Sequence, residues 1–491
     1  MRVLFASSEV FPLVKTGGLA DVSGALPGAL REAGVDARIL LPGYPAAMEK
    51  ARKAKRVASL GDPLGIGAEA HLVAAELPGS RVPVWLIDCA PLYDRAGGPY
   101  QDAAGRDYED NARRFGLLSW AAARLCTRDG PLKWRPDILH GNDWQAGLAP
   151  AYLRAWGEKA TATVFTIHNM AYQGLFPKEI LPELKLPWNL YRIDGLEYYD
   201  SVSFLKAGLV YSDRITTVSR RYAKEIQTAA FGCGMEGVLA HRAADLVGIV
   251  NGADYGVWNP GEDPHLSHRY APGAYAEGKA ANKAALQAEL GLAPSPDAPL
   301  MVVVSRLNEQ KGMDLILSDL PILLRGGAQL AVLGAGDHML EDGFRTAAAK
   351  SPRQVAASIG YSEPLAHKLM AAGDMLLMPS RFEPCGLTQF YAYRYATVPV
   401  VHATGGLADT VVDATYDSLM TQTATGFVFE HANPGAFQWC VERALALFRN
   451  KEEWRTIQDT CVAQDFSWRR SAERYANLYN ALVSEGAGEN G

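Results

Sequence analysis

Met301-Val302-Val303-Val304-Ser305-Arg306-Leu307-Asn308-Glu309-Gln310-Lys311-Gly312 reads as a buried strand that hands two cations to its carboxyl end. A short, wholly apolar run closed by polar residues and glycine is the pattern of a strand covered on both faces, as in a parallel sheet. The same pattern recurs on either side. Before it stand Val3–Ala6, Ala37–Leu41, Val84–Ile87, Ile138–His140, Thr163–Ile167, Ile215–Val218 and Val247–Val250. After it stand Leu330–Leu333, Gln354–Ile359, Met375–Met378 and Val398–Val401. Helix-like stretches lie between. In the first of them Val22, Ala25, Leu26, Ala29 and Leu30 share one helical face, and Gly34 stands where a C-cap glycine belongs.

Alternating strands and helices imply right-handed βαβ units and parallel sheets. Two series of similar length, parted near residue 255 by the Pro-containing segment Asn259–Pro264, predict an α/β protein of two Rossmann-like doubly wound domains facing a cleft. The expected divisions are an N-terminal domain over 1–255, a C-terminal domain over 256–465, a closing helix over 466–484 that crosses back to the first domain, and a disordered tail over 485–491. A length of 491 residues suits such a division.

Open parallel sheets bind ligands beyond the carboxyl ends of their strands, so the residues that follow each strand carry the functional information. Thr-Gly-Gly-Leu-Ala-Asp occurs twice there, at Thr16–Asp21 and at Thr404–Asp409. Two glycines entering a helix let backbone amides approach an anion at the positive end of the helix; two tight turns explain each copy equally well. Arg306 and Lys311 suit a departing diphosphate, although each alone reads as a solvated surface charge. There is no Gly-x4-Gly-Lys-Ser/Thr phosphate loop, and Gly334-Ala335-Gly336 lacks the third glycine of a dinucleotide fingerprint.

His168 ends an apolar run with no metal partner at i+4, and His140 with Asp143 has no metal-ligand spacing. No convincing Asp-x-Asp triplet follows a strand, so no metal and no cofactor is expected. Glu383 lies in Arg381-Phe382-Glu383-Pro384-Cys385-Gly386-Leu387-Thr388, where a fixed carboxylate suits sugar hydroxyls and an ion pair with Arg381 is the structural alternative. Cys385 has no recognisable histidine partner and reads as a backbone contributor.

Composition narrows the class. Against 54 acidic residues stand 48 basic ones, a net charge of −6, which argues against nucleic-acid and polybasic membrane partners. Six scattered cysteines without CxxC spacing suggest reduced thiols in a cytoplasmic protein. No apolar stretch reaches the ~20 residues of a membrane span, and the first residues carry neither a secretory nor a transit signal.

Taken together, Lys15–Asp21, His168-Asn169-Met170-Ala171-Tyr172-Gln173-Gly174, Ser305–Gly312 and Ser380–Thr388 closely resemble the bacterial glycogen and plant starch synthases, from Met1 to about Leu482. The resemblance implies a type B, metal-independent, retaining transferase that moves glucose from ADP-glucose to the non-reducing end of glycogen or a linear α-1,4-glucan in the bacterial cytoplasm. It implies that Lys15 meets donor phosphate or acceptor, with Gly17 and Gly18 beside it, and that Asp21 helps hold the glucosyl region. His168 would offer its carbonyl near the anomeric carbon. Arg306 and Lys311 would steady the diphosphate, and Glu383 the donor glucose. Cys385, Gly386, Leu387 and Thr388 would present amides, and Thr404, Gly405 and Gly406 a second glycine turn. Asp143, Asn169 and Asn251 would line the sugar site, Tyr361 would stack on adenine, and Tyr93 would be a further cleft residue.

Many relatives in the wider superfamily carry a second glutamate eight residues after the first; here that place holds Tyr391. A paired-carboxylate mechanism is therefore disfavoured, and front-face displacement is expected. The missing plastid leader points to the glycogen branch rather than the starch branch. Two other readings remain open at this level: another retaining nucleotide-sugar transferase, using UDP-glucose or a non-glucan acceptor, and a glucan-binding protein without turnover.

Overall fold

The computed structural model describes residues 1–489. The chain divides into two units: Met1–Gly252 together with the closing helix that starts at Trp468, and Ala253–Ser467.

The first unit contains β1 (Arg2–Ala6), β2 (Asp36–Pro42), β3 (Arg52–Gly61), β4 (Ala70–Glu76), β5 (Pro83–Asp88), β6 (Ile138–Asn142), β7 (Ala162–Ile167), β8 (Leu175–Pro177), β9 (Glu197–Tyr198), β10 (Ser201–Ser203), β11 (Arg214–Thr217) and β12 (Leu246–Gly248). Nine of these form one sheet in the order β12-β11-β7-β6-β1-β2-β5-β4-β3. From β12 to β5 all pairings are parallel; β4 and β3 add an antiparallel edge. That edge was not legible in the sequence. Lys53, Lys55 and Arg56 are exposed along β3, whose pairing is broken by bulges, and charge and bulges are how an edge strand resists pairing with another chain. A second, three-stranded sheet, β8-β10-β9, is antiparallel.

The predicted first helix spans Gly18–Glu32 and packs its Val22, Leu26 and Leu30 against the closing helix, Trp468–Glu489. They share a core with Trp468, Ala472, Tyr475, Tyr479 and Leu482, all within unit 1. A buried polar chain ties the closing helix to the sheet: the Tyr479 hydroxyl lies 2.7 Å from His140 Nδ1, and His140 Nε2 lies 2.6 Å from Thr166 Oγ1. The helix also continues past the expected end at 484. Glu485 pairs with Arg214 at 2.8 Å, which ties that stretch to the body of unit 1, so residues 485–489 are helical where a disordered tail was expected. The last two residues of that expected tail, 490 and 491, lie outside the described residues.

The second unit has β13 (Leu300–Val304), β14 (Gln329–Gly334), β15 (Val355–Ile359), β16 (Met375–Met378), β17 (Val398–His402) and β18 (Phe427–Phe429). They form one all-parallel sheet in the order β15-β14-β13-β16-β17-β18. Counted within the unit, this is 3-2-1-4-5-6, the doubly wound order whose ligand crevice lies where the strand order reverses, between its first and fourth strands. Here that point falls between β13 and β16. In unit 1 the corresponding reversal falls between β1 and β6.

Candidate active site

In unit 2 the loops that leave β13 and β16 are laced together. Gly312 has φ +71°, a left-handed conformation, and a Cβ built there would lie 2.0 Å from the Pro379 carbonyl oxygen, so only glycine lets the two loops meet. The Arg381 amide donates to the Gln310 carbonyl at 2.8 Å, and the Gln310 side chain donates to the Phe382 carbonyl at 3.3 Å. The Arg381 guanidinium grips both oxygens of Asp314, at 2.7 and 2.6 Å, and this holds the Asp314 carboxyl below the usual carboxylate range. Arg381 therefore pairs with Asp314 and not with Glu383.

The lacing brings Lys311 Nζ to 2.5 Å from Glu383 Oε2, an oxygen that also accepts from Ser380 Oγ at 3.0 Å. Both side chains are largely buried. Arg306 is exposed nearby in sequence, with a guanidinium nitrogen 3.4 Å from the Gln310 side-chain oxygen. Cys385 is buried, and Gly386, with φ +72°, leads through Leu387 into the helix Thr388–Arg394, which has no side-chain cap. Tyr361 is 76 % exposed, and its hydroxyl donates to Glu363 at 3.2 Å.

The second Thr-Gly-Gly copy backs this loop. Cβ atoms at Gly405 and Gly406 would fall 1.9 Å from the Glu383 carbonyl oxygen and 2.1 Å from that of Cys385, and the Gly406 amide donates to Glu383 and Pro384 carbonyls at 3.1 Å. These glycines give the Glu383 segment a close floor. The Thr404 hydroxyl is buried and has no hydrogen-bond partner among the described residues.

In unit 1 the first copy serves differently. Glu9, 3 % exposed, accepts from the Thr16 amide and, at 3.0 Å, from the Gly17 amide; its other oxygen accepts from the Tyr100 hydroxyl at 2.5 Å. The amides read from sequence as an anion cradle thus hold the protein's own carboxylate. Gly18 opens the helix, and Lys15 Nζ lies 2.7 Å from Asp21 Oδ1.

Across the same switch point, Asp143 has φ +53°, and its Oδ1 accepts from the amides of His168 at 2.7 Å and Asn169 at 3.4 Å. Burial pushes the Asp143 carboxyl up to about 7 and lowers the His168 imidazole to about 3. Both are groups held neutral more readily than in water. His168 Nε2 is 3.0 Å from Asn142 Oδ1, so the ring is anchored and the His168–Asn169 backbone is fixed. Asn251 is buried, and its side-chain oxygen has no partner among the described residues.

Tyr93 lines a cavity while its hydroxyl is turned into the protein. It is 1 % exposed, and its hydroxyl donates to the Arg114 carbonyl at 2.5 Å, so it supplies only part of the wall of a cavity of about 320 Å³ whose lining also includes Val14, Tyr44, Arg95 and Gly97. The phenol is consumed in packing because Arg114, itself buried, leaves a carbonyl within its reach. Sequence reading also missed Glu9, Ser380 and Asp314. Glu9 had a signal: a single carboxylate between β1 and the run Val10–Val14.

Comparison with known proteins adds the chemistry. The starch synthase catalytic domain family matches residues 2–241, and the group 1 glycosyl transferases match residues 298–446. A glycogen synthase of Paramagnetospirillum magneticum is 69 % identical, covering 100 % of this chain and 99 % of the relative. The chain belongs to the glycogen and starch synthase family. A glycogen synthase of Rhodospirillum rubrum is 50 % identical over 98 % of this chain and 99 % of its own length. Among solved structures, the catalytic domain of starch synthase IV from Arabidopsis thaliana, bound to ADP and acarbose, matches with a TM-score of 0.88 and 33 % identity, covering 98 % of this chain and 99 % of that one. As a member of this family the chain is a glycosyltransferase with the type B, two-Rossmann architecture. Among the described residues, no helix is long and apolar enough to cross a membrane.

Proposed function

We propose that the chain transfers glucose from ADP-glucose to the 4-hydroxyl at the non-reducing end of glycogen or a linear α-1,4-glucan, with retention of the α configuration. The observation that carries this reading is the Lys311–Glu383 pair at the switch point of unit 2, in a family whose relative binds ADP. Unit 2 takes the donor. Arg306 and Lys311 meet the diphosphate, Glu383 meets the glucose hydroxyls, amides from Cys385 to Thr388 meet phosphate oxygens, and Tyr361 stacks on the base. Thr404, Gly405 and Gly406 support the Glu383 segment. Unit 1 takes the acceptor. Lys15 and Asp21 line the reacting region with Gly17 and Gly18, and Asp143, Asn169 and Asn251 hold sugar hydroxyls.

In the transfer, the bond between anomeric carbon and phosphate oxygen breaks as the acceptor 4-oxygen bonds to that carbon on the same face. The acceptor proton passes to the leaving phosphate, and ADP departs. Positive charge is most useful when the leaving group is most negative, which is the work of Lys311 and Arg306. The His168 carbonyl meets the developing positive charge at the anomeric carbon. Tyr391 at the second-glutamate position offers no carboxylate for a covalent intermediate. The bacterial cytoplasm fits the two bacterial relatives and the six free cysteines, five of them buried.

The test feeds radiolabelled ADP-glucose and UDP-glucose separately to the protein with glycogen and follows label into polymer. Label from ADP-glucose, released by an α-1,4-specific glucanase, is the expected result. Label from neither donor sinks the reading, and label from UDP-glucose alone sinks its donor assignment.

A further inference from the structure

The segment that ends β17 grips the Glu383 loop at two points. β17 lies between β16 and β18 in the sheet, and its last residue, His402, faces the exits of both neighbours. His402 Nδ1 lies 2.8 Å from the Ser380 carbonyl oxygen, past the end of β16, and Nε2 lies 3.3 Å from the Glu430 carbonyl oxygen, past the end of β18. Further on, the Gly406 amide donates to the Glu383 and Pro384 carbonyls. His402 is 8 % exposed, and its ring packs at 37° against Phe429 with the centroids 5.3 Å apart.

A carbonyl oxygen only accepts, so the short contact to Ser380 places a hydrogen on Nδ1. A neutral imidazole has one N–H. The Ser380 bond is therefore made in the neutral and the charged ring alike, whereas the longer approach to Glu430 becomes a hydrogen bond only in the charged one. Ser380 is 2 % exposed, and a buried carbonyl deprived of its donor is costly. Ser380 has a second task. Its hydroxyl donates to Glu383 Oε2, the oxygen that also meets Lys311. Fixing the Ser380 backbone thus fixes the point from which that hydroxyl reaches the carboxylate. Arg381, next in the chain, is held from the opposite side, by Gln310 and Asp314.

We infer that His402 is a positioning residue for Glu383: by holding the Ser380 carbonyl it sets the carboxylate that receives the donor glucose. The inference rests on the reading above, in which Glu383 meets glucose while Arg306 and Lys311 meet the diphosphate. Its consequence is a split between two ligands. Loss of the Nδ1 bond is felt by ADP-glucose and not by ADP, which has no glucose to place. A role confined to joining β17 to its neighbours would move both affinities together.

Titration calorimetry with ADP-glucose and with ADP, without acceptor, tests it on His402→Phe, His402→Asn, Ser380→Ala and the double variant His402→Phe/Ser380→Ala. Phenylalanine fills the site without a donor; the asparagine amide nitrogen falls near the place of Nδ1. His402→Phe is expected to weaken ADP-glucose about tenfold, the size of one buried hydrogen bond, and to leave ADP near its wild-type affinity. His402→Asn regains most of that loss. In the Ser380→Ala background the phenylalanine adds little, because the link it acts through is already cut. Should His402→Phe fail to fold, His402→Gln replaces it, since its amide falls near the place of Nε2 and leaves the Ser380 carbonyl unfilled. Equal weakening of ADP and ADP-glucose overturns the inference, as does no weakening of either, full additivity in the double variant, or an asparagine variant as weak as the donor-less one. A wild-type protein that binds ADP-glucose and transfers no glucose would defeat the functional reading, while the calorimetry would still decide the role of His402.

Discussion

Lys311 Nζ sits 2.5 Å from Glu383 Oε2, so the cation assigned to the diphosphate and the carboxylate assigned to the sugar form one buried pair. Removing either leaves the other without its counter-charge, and breaking a buried pair from one side costs about 3–5 kcal/mol. Lys311→Ala is therefore expected to lower both Tm and kcat, the latter by roughly 10²–10³-fold as for loss of a transition-state donor. KM for ADP-glucose should stay near the wild-type value, and Arg306→Ala should follow the same kinetic pattern without the loss of Tm. Steady-state kinetics decide: equal losses in kcat and in donor affinity contradict the assignment.

Gly312 makes that pair geometrically possible. Gly312→Ala puts a methyl group against the Pro379 carbonyl and a side chain into a left-handed conformation, which by itself costs about 1–2 kcal/mol. Thermal unfolding should show a clear drop in Tm, and the surviving folded protein should turn over more slowly because Lys311 moves with the loop. A variant with wild-type Tm would show that the two loops separate freely.

Arg381 is a positioning residue for Glu383, through Asp314 and the Glu309–Gln310 backbone. Lysine cannot reproduce its two parallel hydrogen bonds. Because the pair is about a third exposed, its contribution to stability is small. Arg381→Lys should thus lower kcat several-fold with little change in Tm. A fall in Tm alone, with kcat intact, would reduce the residue to scaffolding.

Three titratable groups of unit 1 set a pH dependence. Burial lowers His140 and His168 to about 3, so between about pH 6.5 and 3 the unfolded chain binds two protons that the native chain refuses. Asp143, raised to about 7 by burial, acts in the opposite sense: between about pH 4 and 7 the native chain keeps one proton that the unfolded chain releases. Two minus one leaves one net proton, so stability should rise with pH from about 4 to 6.5 by roughly 1.4 kcal/mol per unit. In Asp143→Asn the opposing term disappears and the slope should approach twice that value. Denaturant unfolding at several pH values measures it; a slope unaffected by the substitution contradicts the assignment to Asp143.

What the sequence revealed was what strands and the residues after them reveal. Met301–Val304, Met375–Met378 and Thr163–Ile167 are buried apolar runs, and each became a strand; the first two flank the switch point of unit 2. The β3 edge was hidden because an edge strand is shaped by solvent and charge and has no continuous apolar run. The repeated hexapeptide shows the limit most sharply. Identical residues at Thr16–Asp21 and Thr404–Asp409 are used in one place to enclose Glu9 and in the other to floor the Glu383 segment. The difference lies in neighbours distant in sequence, which local spacing does not encode. The anchoring of Tyr93 has the same cause, since the Arg114 carbonyl that takes its hydroxyl lies 21 residues away.

The points where the chain leaves unit 1 and re-enters it are neighbours. A Cβ on Gly252 would lie 2.6 Å from the Trp468 Cα, and the Ala253 amide donates to the Phe466 carbonyl at 2.7 Å. Topologically, Ala253–Ser467 is a cassette inserted into an otherwise continuous body. Joining Gly252 to Trp468 through a short turn would give a shortened polypeptide that keeps its nine-stranded sheet and final helix. The excised cassette would carry its own two ends side by side. Each piece would then be a separate object for ligand titration, nucleotide against one and oligosaccharide against the other.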